Sequence, residues 1–183
     1  MSTAESGPDR EAHPLLGGGL VPSHQLGERD MLLAYLARQR ELVFWKLEGL
    51  EDDKARAVST PSGLTAHVIV RHLAGVERGW LREHFAGRPT ERVRDREFVP
   101  DDRARLADLL VAYRAEIVLC DQVIAAADLE QIAAQRDHSL RWILFHLIEE
   151  ISRHLGHLDL LAELADGRVG EEPEGAPPPG VDP

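Results

Sequence analysis

Residues 146–161 read HLIEEISRHLGHLDLL, a segment rich in leucine and isoleucine that also holds three histidines and two glutamates. On a helix advancing about 100° per residue, with Glu150 as origin, His154 falls at about +40°, His157 at about −20° and His146 at about −40°. Four polar groups thus share one narrow sector. Ile143 and Leu161 lie in the same sector on other turns, and Leu147, Ile151 and Leu158 border it. Glu149, Ser152, Gly156, Asp159 and Glu163 lie on the opposite, wet side. The polar stripe therefore faces a core or a cleft opening from one, and Glu149 does not.

This helix starts near Ser139 and runs to about Asp166. Three more amphipathic helices precede it. Over about 28–50, Leu32, Leu36, Val43, Leu47 and Leu50 recur at helical steps, with Arg38, Arg40, Glu41 and Lys46 between them. Over about 62–86 the inner stripe is Thr65, Val68, His72, Val76 and Trp80; Ser62 is the expected N-cap, and Gly87 before Pro89 is the expected stop. After Pro100, Asp101 and Asp102 a third helix carries Leu106, Leu110, Tyr113, Ile117, Cys120 and Ile124. Period-two alternation of β-branched and aromatic residues is missing, so essentially no sheet is expected. The fold class expected is all-α, a four-helix bundle.

Residues 1–25, with Gly17, Gly18, Gly19 and three prolines, read as a flexible leader, and 167–183 as a disordered Pro/Gly/Glu-rich tail, leaving 26–166 as one globular domain. The 183 residues are 43% apolar and 29% charged, ordinary for a soluble globular chain. No apolar run is long enough to span a membrane, and the N-terminal stretch does not read as a secretory signal, so a cytoplasmic location is expected. A net charge of −11 disfavours nucleic acid and anionic membranes as partners. The one basic stretch, GRPTERVRDREF at 87–98, is interrupted by acidic residues and lacks stacking aromatics. Cys120 is the single cysteine, which excludes an internal disulfide or a cysteine-rich zinc site, and it sits in an apolar stripe as a small core residue.

A buried carboxylate beside imidazoles needs a compensating partner. Glu150 and His154, four residues apart, bring their heads to one point, as metal-binding helices do. His72, on the inner stripe of the second helix between Val68, Ile69 and Val76, is the best third ligand. The alternative is a pH-sensitive Glu–His hydrogen-bond network without metal. His13 and His24 in the leader, and His67, His84 and His138, read as solvated or structural. A zinc-protease helix, a phosphate-binding loop and a Gly-x-Ser-x-Gly elbow are all missing.

HLIEEISRHLGHLDLLAEL, preceded by SLRW at 139–142, together with VRHLAGVERGWLREHFAG at 70–87, resembles the DinB-like superfamily. The similarity extends from ERDMLLAYLARQRELVFWKLEGL at 28–50 to Asp166 and is strongest to the actinobacterial, mycothiol-dependent and uncharacterised branch. It implies a divalent metal, Zn²⁺ first and Ni²⁺ or another second, held by His72, Glu150 and His154. Many superfamily members carry His where this chain has Glu150; Glu there is similar to mycothiol-dependent maleylpyruvate isomerases. The resemblance implies an enzyme, a metal-dependent S-transferase that activates mycothiol or a related low-molecular-weight thiol for transfer to an electrophilic metabolite or toxin. In that scheme His146 and His157 relay the thiol proton, and Arg71, Arg141 and Arg153 pair with acidic groups on the thiol or substrate. Cys120 is not the nucleophile, which must come from solution. The arginine bias, 19 Arg against 2 Lys, agrees with an actinobacterial source. Related bundles are often dimeric, although no seam in this sequence marks a homodimer interface. Two rivals stand beside this reading: a noncatalytic, stress-related metal- or ligand-binding bundle, and a metal-dependent hydrolase with water as nucleophile.

Overall fold

A computed structural model describes residues 26–99, 101 and 103–170 of the chain. The leader expected at 1–25, with His13 and His24, lies outside the described residues, as do Pro100, Asp102 and residues 171–183 of the tail. The described part is an all-α bundle: α1 (Glu28–Leu47), α2 (Asp52–Ala57), α3 (Ala66–Glu77), a π-helical segment (Arg78–Phe85) continuing α3, α4 (Arg94–Glu97), α5 (Leu106–Ala125) and α6 (Leu140–Asp166). Among the described residues the only β pairing is an isolated bridge between Ile132 and Ser139. None of their helices is long and apolar enough to cross a membrane.

The bundle is built from two close pairs, α1 with α6 and α3 with α5. Leu36, Leu47, Ile69, Leu73, Leu144, Leu147, Ile151 and Leu158 are wholly buried between them. Their three- and four-residue spacing explains why these segments became helices that face inward. Helix α6 starts at Ser139, whose Oγ accepts from the Trp142 amide at 3.3 Å, and ends at Gly167, whose φ of 79° provides the left-handed C-terminal turn.

Three details depart from the sequence reading. The first helix stops at Leu47, and Gly49 turns the chain with φ of 71° into the short α2. The second long helix starts later than expected: Thr65, not Ser62, is the N-cap, its Oγ1 accepting from the Val68 amide. Ser62 is used in the preceding turn, where its hydroxyl lies 3.0 Å from Thr60 Oγ1 and Gly63 bonds back to the Thr60 carbonyl. That helix also changes register. From Arg78 to Phe85 the turns widen to π geometry, a form concentrated at functional sites. Gly87 does end it, with φ of 64°.

Polar groups tie the bundle at its centre. The Glu77 carboxylate, fully buried, accepts from Arg40 Nε at 3.0 Å and from the Tyr113 hydroxyl at 2.7 Å, and Arg40 Nη2 bonds its second oxygen. Arg40 Nη1 also donates to Asp121 at 2.8 Å. Burial opposes the charge on Arg40, but Glu77 and Asp121 outweigh it and raise the guanidinium pKa. Glu116 on α5 accepts from Arg78 and Arg82, each at 2.8 Å, and so pins the π-helical segment to α5.

Candidate metal centre

Three donors meet where α3 and α6 cross. His72 comes from the second turn of α3, and Glu150 and His154 from successive turns of α6. His72 Nε2 lies 3.2 Å from Glu150 Oε1, and His154 Nε2 lies 3.6 Å from the same oxygen. Ligand atoms of the three residues all fall within 4.8 Å of one another. His72 and His154 are only 3% and 7% exposed. The helical ladder of α6 accounts for this convergence, because a four-residue step stacks side chains on one face.

The set fits a divalent ion. Two donors bound at about 2.1 Å to a tetrahedral ion lie roughly 3.4 Å apart, and the two separations to Glu150 fall on either side of that value. Burial, with repulsion from His72, draws the His154 imidazole down to about 4 despite the attraction of Glu150, so at neutral pH its ring is unprotonated as a ligand must be. His154 Nδ1 is buried without a hydrogen-bond partner. Burial pushes the Glu150 carboxyl up, but the hydrogen bond from His72 and the nearby His154, His72 and Arg153 charges outweigh it and keep the group an anion. Two imidazoles and a carboxylate are a donor set that would leave a bound ion one further coordination position.

Around the donors lies a shell that sequence reasoning missed. His72 Nδ1 is 2.9 Å from Glu97 Oε2, and Arg92 grips the same carboxylate through Nε at 2.6 Å and Nη2 at 3.3 Å. The Phe98 ring packs on His72 with centroids 4.7 Å apart. Burial works against the Glu97 charge, yet the hydrogen bonds from His72 and Arg92 and the Arg92 charge hold its pKa below the ordinary carboxylate value. These residues come from GRPTERVRDREF, the stretch read as a broken basic patch. The signal for them was the pair Gly75 and Gly79, four residues apart within one helix, a sign of close approach by another segment.

The remaining predicted residues are scattered. His157 sits beside His154, with centroids 5.5 Å apart and its Nδ1 buried and unpartnered. His146 is drawn into an aromatic wall instead of turning toward the donors. It stacks on Trp142 with centroids 5.1 Å apart and meets Trp80 edge-on at 4.9 Å, and His138 also stacks on Trp142, at 3.9 Å. His138, Trp142, His146, Glu150 and His154 follow one another at four-residue steps, so this wall leads along α6 to the donors. Arg153 donates to Glu150 Oε2 at 3.1 Å and to Glu149 at 2.7 Å. Arg71 donates to the Val99 carbonyl at 2.8 Å, with its Nη2 buried and unpaired. Arg141 lies nine residues before Glu150, about 13 Å along the axis, and is held by Glu28 and Glu130. The structure does not bring Arg141 to the site. His67, read as solvated or structural, is buried and bonds Asp52 at 3.0 Å. Burial and the neighbouring Glu77, Glu116 and Asp121 carboxylates push the Cys120 thiol far above its ordinary range.

No curated protein matches the chain. A family model described as mycothiol-S-transferase matches residues 31–167, from the first turn of α1 through the end of α6, in agreement with the resemblance to DinB-like, mycothiol-dependent proteins. Covering well over half of the sequence, that match shows that the chain belongs to the mycothiol-S-transferase family.

Proposed function

We propose that the protein is a metal-dependent S-transferase that transfers mycothiol, or a related low-molecular-weight thiol, to an electrophilic metabolite or toxin. The observation that carries this reading is the meeting of His72, Glu150 and His154 ligand atoms within 4.8 Å, on two facing helices. A divalent ion held there, Zn²⁺ or Ni²⁺, would lower the pKa of a coordinated thiol toward neutrality. The chain supplies the rest. Its imidazole donors are buried and need no large rearrangement to bind. Leu147, Ile151 and Leu158 keep one side of the donors dry. His157, with an unpaired buried Nδ1 next to His154, takes the proton that the thiol gives up before its sulfur attacks the electrophilic carbon. His146, held between Trp142 and Trp80, forms the wall past which the electrophile approaches. Arg153, exposed at the rim, and Arg71 pair with acidic groups of the thiol or substrate. The protein's own Cys120 is buried and its thiol strongly disfavours ionisation, so the nucleophile comes from solution. A reducing cytoplasm suits that chemistry, since the cosubstrate must be a free thiol.

A second reading has one observation in its favour: His72 is already hydrogen-bonded to carboxylates at both nitrogens, Glu97 at 2.9 Å and Glu150 at 3.2 Å, which is how a metal-free binding bundle would satisfy it. Metal analysis of gently purified protein separates the two. We expect about one divalent ion per chain, lost in His154→Ala together with mycothiol-dependent conjugation of monochlorobimane. Wild-type protein that takes up no divalent ion, or conjugates equally well in the presence of chelator, would remove the S-transferase proposal as stated.

A further inference from the structure

We propose that Glu97 is a positioning residue of the metal centre: seated over Gly75 and accepting from His72 Nδ1–H, it fixes the ring with Nε2 toward Glu150 and His154, and so couples ion binding to the seating of residues 92–98. The inference rests on the metal reading above and extends it to a segment outside the donor helices.

Neutral imidazole carries a single proton, and only the nitrogen without it can bind an ion. A carboxylate on Nδ1 decides the matter in favour of Nε2, the nitrogen that lies 3.2 Å from Glu150. The fold goes to some length to keep that carboxylate in place. A Cβ on Gly75 would lie 2.5 Å from the Glu97 carboxyl carbon, and one on Gly79 would lie 3.0 Å from the Arg92 guanidinium carbon. Glycine is the weakest helix former after proline, yet two of them stand four residues apart here, opening hollows that Glu97 and Arg92 fill. Arg92 then clamps both oxygens of Glu97. The segment is held at its far end as well, where Phe98 packs on His72 and Arg71 donates to the Val99 carbonyl. Residues 92–99 thus meet His72 through its proton, through its face and through the neighbouring Arg71. Nε2 also faces Glu150, and a neutral ring has one proton for the two carboxylates; an ion on Nε2 would leave that proton to Glu97 alone, which is how ion binding would tighten the seat of residues 92–98.

The test uses the full chain with Zn²⁺ as probe, its affinity measured by competition with a chromogenic chelator, for wild type, Glu97→Ala, Glu97→Gln and Gly75→Ala. Loss of an outer partner of a ligating histidine lowers affinity about 10- to 100-fold, the effect expected for Glu97→Ala, whereas Glu97→Gln keeps an acceptor for Nδ1–H and should stay within about fivefold of wild type. Gly75→Ala leaves every hydrogen-bonding group in the sequence and favours the helix, but its methyl group occupies the seat of the carboxylate; it should match Glu97→Ala even if that variant folds poorly. Hydrogen exchange provides a readout that a merely structural contact would not move: Zn²⁺ should slow exchange at 92–99 in wild type and not in Gly75→Ala. Tight wild-type binding with unchanged affinity in Gly75→Ala and Glu97→Ala overturns this inference alone. Wild type that binds no Zn²⁺ overturns it together with the metal reading.

Discussion

Arg40 and Glu77 form the most consequential pair outside the candidate metal centre, and their burial makes the cost of separating them large. Their side chains are 6% and 0% exposed, and three hydrogen bonds, two from Arg40 and one from Tyr113, meet on the Glu77 carboxylate. Replacing Arg40 with Met leaves that carboxylate without its cation. Removing one partner of a buried pair costs about 3–5 kcal/mol, whereas the contact from Arg40 to half-exposed Asp121 adds little. At about 3 °C per kcal/mol for a domain of this size, the melting temperature should fall by roughly 10 °C. The double variant Arg40→Met/Glu77→Gln keeps an acceptor for the Tyr113 hydroxyl and removes the stranded charge, so it should recover more than half of the loss. Thermal unfolding followed by circular dichroism measures all four species of the cycle. A single variant that melts within about 2 °C of wild type, or a double variant whose loss equals the sum of the singles, would refute this account of the buried pair.

Two further outcomes follow from the ionisation of buried groups. His154 has a folded value of about 4 against an ordinary value near 6.5, so the unfolded chain takes up a proton that the folded metal-free protein refuses. Stability is therefore lost as pH falls from about 6.5 to about 4, and His154→Leu should flatten the urea midpoint over that window; an equal slope in both proteins would contradict the assignment. Cys120 is buried and its thiol is held in the protonated form, so the native protein should resist alkylation by iodoacetamide and react fully in denaturant, with Cys120→Ala retaining thiol transfer. Rapid native labelling would show that this thiol is accessible after all.

The parts of the molecule written as helical periodicity were open to reading from sequence. The α6 stripe of Glu150 and His154, and the place of His72 on the apolar face of α3, each follow from spacing within one helix, and the structure brings these three together. Glu97 follows no such rule. It is 25 residues from His72 and reaches it through a short segment whose alternating charges resemble an ordinary solvated loop. The π-helical stretch was hidden for a related reason, since a widened turn leaves the composition of RGWLREHF unchanged. Ser62 illustrates a competition between neighbours: it and Thr65 are both acceptable N-caps, and the turn closed by Thr60 and Gly63 claims the first of them. His146 was misdirected by angle alone, because a helical wheel does not know that Trp80 and Trp142 stand ready to hold its ring.

The widened turn at Arg78–Phe85 also acts as a joint in the design of the molecule. Deleting a single residue there would restore ordinary winding and rotate the remainder of that helix by about 100°, while His72, upstream, kept its place. Trp80 and the surface it presents would move away from the imidazole ladder of α6, and His72 would not. The face that Trp80 presents can therefore be turned by one insertion or deletion that leaves His72 where it is, at the cost of the Arg82 bond to Glu116.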